Sequence, residues 1–181
     1  SRRDARRSAG HIPAEFIRLS PEVRHAVAID ASRSRLYVFE RGPKGLSLMQ
    51  DVYVSVGKHG VGKQAGGDQR TPLGVYWITA TFKSPMRDPR LGEAALGINY
   101  PNAWDRLMGR TGSGLFLHGV PPETLAHPPQ ATDGCVAMSN DEALSLLATL
   151  DPDTTPVVIA RALSWVPAAQ VAAPRGMGGQ E

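Results

Sequence analysis

The chain has one cysteine in 181 residues. That excludes an internal disulfide and a thiolate metal cluster. No apolar run approaches the roughly 18 residues that span a bilayer, and no signal peptide is visible. The chain opens without methionine, which reads as a processed or trimmed form. A strong charge bias is also missing. The net charge is +3, and the opening "SRRDARR" carries an excess of that size with four arginines against one aspartate. The remainder is near neutral, so the basic arm reads as a solvated terminus. Aromatics make up 6% of the residues and none interleaves with those arginines. A stacking platform for nucleic acid is therefore not expected.

What is present favours strands and turns. The chain holds 19 glycines and 15 prolines, with a hydrophobic fraction of 41%. That mixture suits one β-rich domain better than a helical bundle. Strands are expected at "HAVAID", "RLYVFE", "LSLMQDVYVSV", "GVYWITATF", "GLFLHG", "CVAM" and "TPVVIA". "SNDEALSLLATL" predicts a helix, with Ser139 or Asn140 as cap and acids in its first turn. "AWDRLM" and "AEFIRL" predict short helices. Two long connections, 57–72 and 84–113, read as loops of functional length.

Several motifs are weak on inspection. "GKHGVGKQ" nearly matches a phosphate-binding loop, but Gln64 offers no hydroxyl to magnesium and no helical pattern follows. The glycines there serve a flexible loop. The histidines His11, His25, His59, His118 and His127 form no H-x-x-x-H pair. No metal site and no cofactor is expected.

Cys135 has two readings, a buried filler or a nucleophile. A working thiol needs a base in reach and donors aimed at the oxyanion. His118 ends one short apolar strand and Cys135 begins another, with a proline-rich loop between them. If the two strands lie side by side, thiol and imidazole meet at one end. Gly134 leaves the approach to Cys135 uncrowded. Spacing alone keeps both readings open, because free cysteine is among the most buried residue types.

"LHG" at 117–119, "TDGCVAMSN" at 132–140 and "GDQRTPLGVY" at 67–76 together resemble the L,D-transpeptidase catalytic domain, or YkuD, family. "YPNAWDRLMGRTGSGLFLHG" resembles the branch that includes Gram-negative L,D-carboxypeptidases. The resemblance covers about residues 24–162. It implies a mainly β, YkuD-like β-sandwich with long loops, one or two short helices and an active-site cleft at the Cys/His pair. The division it suggests is a basic, partly disordered arm over 1–23, a catalytic domain over 24–162 and a loose tail over 163–181.

The resemblance implies a cysteine-dependent L,D-transpeptidase that acts on peptidoglycan tetrapeptide stems in the periplasm or cell envelope. A thioester forms with release of the terminal D-Ala. The acyl acceptor is another stem, a protein or a free D-amino acid. The alternatives are an L,D-carboxypeptidase, a hydrolase of protein-to-peptidoglycan bonds, or an inactive peptidoglycan-binding module. In the implied roles Cys135 is the nucleophile, His118 the base, and the Gly119 carbonyl orients the imidazole. The amides of Gly134 and Cys135 hold the oxyanion, and Thr132 buttresses the turn. Arg70, Tyr100, Asn102, Asp105 and Arg110 are candidate cleft residues, although turn formation and capping around "AWDRLM" explain Tyr100, Asn102 and Asp105 equally well. The sequence departs from the commonest family pattern at Asp133, often histidine, and at Ala137, often arginine. Asp133 is expected to raise the Cys135 pKa unless a cation such as Arg70, Arg106 or Arg110 offsets it.

Overall fold

The computed structural model describes residues 10–124 and 127–168. The "SRRDARR" arm and the end of the tail, 169–181, lie outside the described residues. The strands are β1 (His11–Pro13), β2 (His25–Asp30), β3 (Arg35–Gly42), β4 (Gly45–Tyr53), β5 (Val56–Gly57), β6 (Gly74–Lys83), β7 (Ala94–Ile98), β8 (Phe116–His118), β9 (Gln130–Thr132), β10 (Val136–Ala137), β11 (Pro156–Ala160) and β12 (Trp165–Pro167). The helices are α1 (Ala103–Leu107) and α2 (Asn140–Thr149). The fold is mainly β with few helices, as expected. "AEFIRL" forms a 3-10 turn over Ala14–Arg18.

One eight-stranded sheet runs in the order β10-β8-β7-β6-β11-β2-β3-β4. It curls until its two edges meet: Ser55, just past β4, bridges Ala137 of β10. Full alternation along each strand gives the sheet two distinct faces. The inner face carries Val27, Val38, Tyr76, Val157, Leu96 and Leu117, all buried, and α2 packs there through Ala143 and Leu146. The outer face is covered only in part. Residues 10–23 and 163–168, read from sequence as arm and tail, are folded in part onto it. β1 pairs antiparallel with β12, and Ile12, Phe16, Leu163 and Trp165 pack over Ala28, Tyr37 and Val158. Trp165 lies edge-on to Tyr37 at 5.1 Å.

The sequence reading missed β7. "AALGI" is short, does not alternate and holds a glycine, so it looks like loop. It is fully buried between β6 and β8. A Cβ on Gly97 would meet Thr79 Oγ1 at 2.7 Å, so the glycine lets β6 and β7 close up. Among the described residues no helix is long and apolar enough to cross a membrane.

Candidate active site

β10 pairs parallel with β8, with Val136 beside Leu117 and Ala137 beside His118. Cys135 therefore stands beside Phe116, whose N–H donates to Sγ at 3.4 Å. His118 is two residues on from Phe116 and shares its face, so thiol and imidazole are diagonal neighbours. Both line a cleft of about 880 Å³. Its walls come from both long connections, through Lys58 and Lys63 on one side and Asp88, Arg90 and Ser113 on the other.

His118 is buried and its Nδ1 lies 2.5 Å from the Gly119 carbonyl oxygen. A carbonyl only accepts, so Nδ1 carries the hydrogen and Nε2 keeps the lone pair. Burial pushes the His118 pKa down, against the Gly119 contact and the Asp88 charge, which push it up. Burial pushes the Cys135 thiol up, the Phe116 amide pulls it down, and Asp133 adds to the rise. Both shifts disfavour a thiolate–imidazolium pair. The resting S–H points instead to Gly114 O at 3.5 Å. In this tautomer the neutral imidazole can accept a proton at Nε2.

The turn before Cys135 is held from inside. Thr132 Oγ1 donates to Cys135 O at 2.6 Å and accepts from Gly134 N at 3.1 Å. Gly134 has φ +134, and a Cβ there would meet Arg70 O at 2.8 Å. Thr71 Oγ1 closes the turn by donating to Gly134 O. The Gly134 amide, expected to face an oxyanion, is therefore already engaged. The Cys135 amide has no partner among the described residues and is the open donor.

Asp133 does not sit free beside the thiol. Lys58 donates to it at 3.2 Å and Gln69 at 3.1 Å, and the Lys58 bond holds its carboxyl below the usual range. The cation whose charge lowers the Cys135 pKa is Lys63, not Arg70, Arg106 or Arg110. Lys63 is buried and paired with Asp68 at 2.8 Å. The sequence offered a signal for it only inside the discounted glycine loop.

The other cleft candidates lie behind the site. Arg70 donates to Val61 O. Tyr100 is buried and donates to Thr111 O. Asn102 caps α1 in a capping box with Asp105. Asp105 is buried, accepts from Tyr76 at 2.9 Å and pairs with Arg110 at 2.9 Å. None of these five lines the cleft. Tyr100, Asn102, Asp105 and Arg110 fix the 99–114 segment, which sequence could not separate from substrate contact because capping and binding use the same side chains. Asn140, by contrast, reads from sequence only as a helix cap. The N-cap is Ser139, and Asn140 reaches back to the turn after His118, where it bonds Val120 and Glu93.

The family model for the L,D-transpeptidase catalytic domain, YkuD, matches residues 24–159. Bd1075 from Bdellovibrio bacteriovorus is 26% identical, with a TM-score of 0.68 over 91% of this chain and 57% of that one. The helical cell shape determining protein Pgp2 from Campylobacter jejuni is 24% identical, with a TM-score of 0.69 over 82% of this chain and 52% of that one. An L,D-transpeptidase from Xylanimonas cellulosilytica is 20% identical, with a TM-score of 0.51 over 79% of this chain and 64% of that one. The chain spans little more than half the length of the first two. Among curated proteins, none matches it by sequence.

Proposed function

The chain belongs to the L,D-transpeptidase catalytic-domain family, and we propose that it is a cysteine-dependent L,D-transpeptidase acting on peptidoglycan tetrapeptide stems in the cell envelope. The observation that carries this is the arrangement of Cys135 and His118. They are diagonal neighbours on paired strands, open to one cleft, with the imidazole tautomer fixed by Gly119.

In the proposed reaction Nε2 of His118 takes the Sγ proton as sulfur attacks the carbonyl carbon at the L-centre of the diamino acid. The tetrahedral oxyanion takes the Cys135 N–H. The C–N bond to D-Ala breaks and its nitrogen receives the proton from Nε2, leaving a thioester on Cys135. An acceptor amine then gives its proton to Nε2 and attacks the thioester. The new amide forms as Cys135 leaves and regains its proton. With water as acceptor the same site is an L,D-carboxypeptidase.

Mass spectrometry of disaccharide-tetrapeptide incubated with the protein tests this, with Cys135→Ala as control. Cross-linked dimer, or D-Ala exchanged for an added D-amino acid, is the expected product. Tripeptide alone makes it a carboxypeptidase. No Cys135-dependent change sinks the enzymatic reading.

A further inference from the structure

The outer face of the sheet is half covered. One cross-strand row runs Tyr37, Ala28, Val158, Val75 through β3, β2, β11 and β6. The first three are buried under the β1–β12 ribbon, but Val75 is exposed. Coverage stops between β11 and β6. On β6 the same face is open, while Ala95 and Gly97 of β7 lie buried in it. It carries Val75, Trp77 and Phe82 on β6, then Phe116 at the cleft wall.

A β-bulge between Ile78 and Thr81 makes this continuous. Without its extra residue Trp77 and Phe82 would point to opposite faces. With it, both are exposed. Phe82 shares a row with Ala95 and His118, and its ring meets Phe116 edge-on at 6.1 Å. Phe82 and Trp77 stand about 13 Å apart along the strand, four paired rises with the bulge residue left out. Open residues therefore lead from the cleft wall at Phe116, through Phe82, along β6 to Trp77.

α1 stands at the far end. Asn102, its cap, donates to Val75 O, and Asn99 accepts from Trp77 N. The helix is inverted. It buries Asp105 at 1% exposure and presents Trp104 at 61% and Leu107 at 75%. A helix held by a buried Asp105–Arg110 pair, with its indole outside, is built for display.

We propose that this face is a glycan platform: sugar rings of the substrate polymer stack on Trp77 and Trp104 while an attached stem peptide reaches Cys135 past Phe82 and Phe116. The inference rests on the peptidoglycan reading above. Its support is the continuity of the face with the cleft and the chemistry of the surface. Spaced indoles suit the apolar faces of sugar rings. Asn99 uses Oδ1 on Trp77 N–H, which leaves its Nδ2 to a hydroxyl. Lysine clusters suited to a lipid headgroup are missing from β6 and α1.

The test compares a free tetrapeptide stem with the same stem carried on soluble uncross-linked glycan chains. For Trp77→Ala and Trp104→Ala, kcat/KM on the glycan-borne stem falls about tenfold, through KM. The rate on the free stem stays unchanged, which also certifies the fold. Equal loss on both substrates, or loss on neither, overturns the platform. So does self-association of the wild type that either variant abolishes, because that assigns the face to a second copy. Co-sedimentation of Cys135→Ala protein with glycan stripped of its stems reads the platform without turnover. Binding that Trp77→Ala removes supports it, and binding that Trp77→Ala leaves intact overturns it. A wild type that turns over neither substrate condemns the proposed function instead.

Discussion

Asn140 and Val120 exchange two hydrogen bonds across the turn that follows His118. Oδ1 accepts from Val120 N at 3.1 Å and Nδ2 donates to Val120 O at 2.7 Å. Oδ1 also accepts from Glu93 N, and the side chain packs so closely on Gly119 that a Cβ there would strike it. One amide thus fixes the peptide whose carbonyl orients the His118 imidazole.

Asn140→Ala removes all three bonds. It should cost about 2–3 kcal/mol of stability and lower kcat more than it raises KM. Thermal melts and steady-state kinetics check this. A kcat equal to wild type at a temperature where the variant is fully folded would separate Asn140 from the imidazole.

The pH dependence of Cys135 alkylation follows from the opposed shifts. The thiol is raised and the imidazole lowered, so the neutral pair is the resting form. The rate should climb into the alkaline range with no plateau near neutrality. A preformed thiolate–imidazolium pair gives such a plateau, and seeing one would refute the assignment. His118→Gln should slow turnover by 10²-fold or more, on the order of a general base's contribution.

Thr132→Val keeps the shape of the turn and removes both of its hydroxyl bonds. Stability should fall by about 1–2 kcal/mol. The freed Gly134 amide then has no partner among the described residues. Gly134→Ala should be worse, since a left-handed φ and the Arg70 carbonyl both oppose a Cβ. Intact-mass labelling of Cys135 by a strained β-lactam such as a carbapenem reads both variants. Full labelling of Gly134→Ala at the wild-type rate would mean the turn tolerates the methyl.

Burial pushes the Asp68 carboxyl up, but the Lys63 bond and three backbone amides together hold it well below the usual range. A folded pKa below the unfolded one means stability that is present above the unfolded pKa and lost as pH falls towards the folded one. Melting temperature should therefore begin to drop as pH falls through about 4 and keep falling towards the folded pKa. Asp68→Asn should flatten that drop while lowering stability at neutral pH. An unchanged acid limb in the variant would assign the loss to other carboxylates.

The sequence by itself determined most local elements and the candidate residues. Strands such as 25–30 and 155–160 alternate or run apolar between turn residues, and their bounds hold within a residue. "LHG" and "TDGC" point to Cys135 and His118 through their resemblance to the family motifs, since spacing alone leaves a buried thiol equally open. Tertiary structure decided what contacts across the chain decide. β7 became a strand only because β6 and β8 offered it two partners. Residues 10–13 and 165–167 became a ribbon only by meeting each other. Asp133, exposed to either role by sequence, was claimed by Lys58, and Asp105 by Arg110 and Tyr76. Charge partners and sheet neighbours are long-range choices, and a residue's type fixes what it can bond, not what the folded chain brings to it.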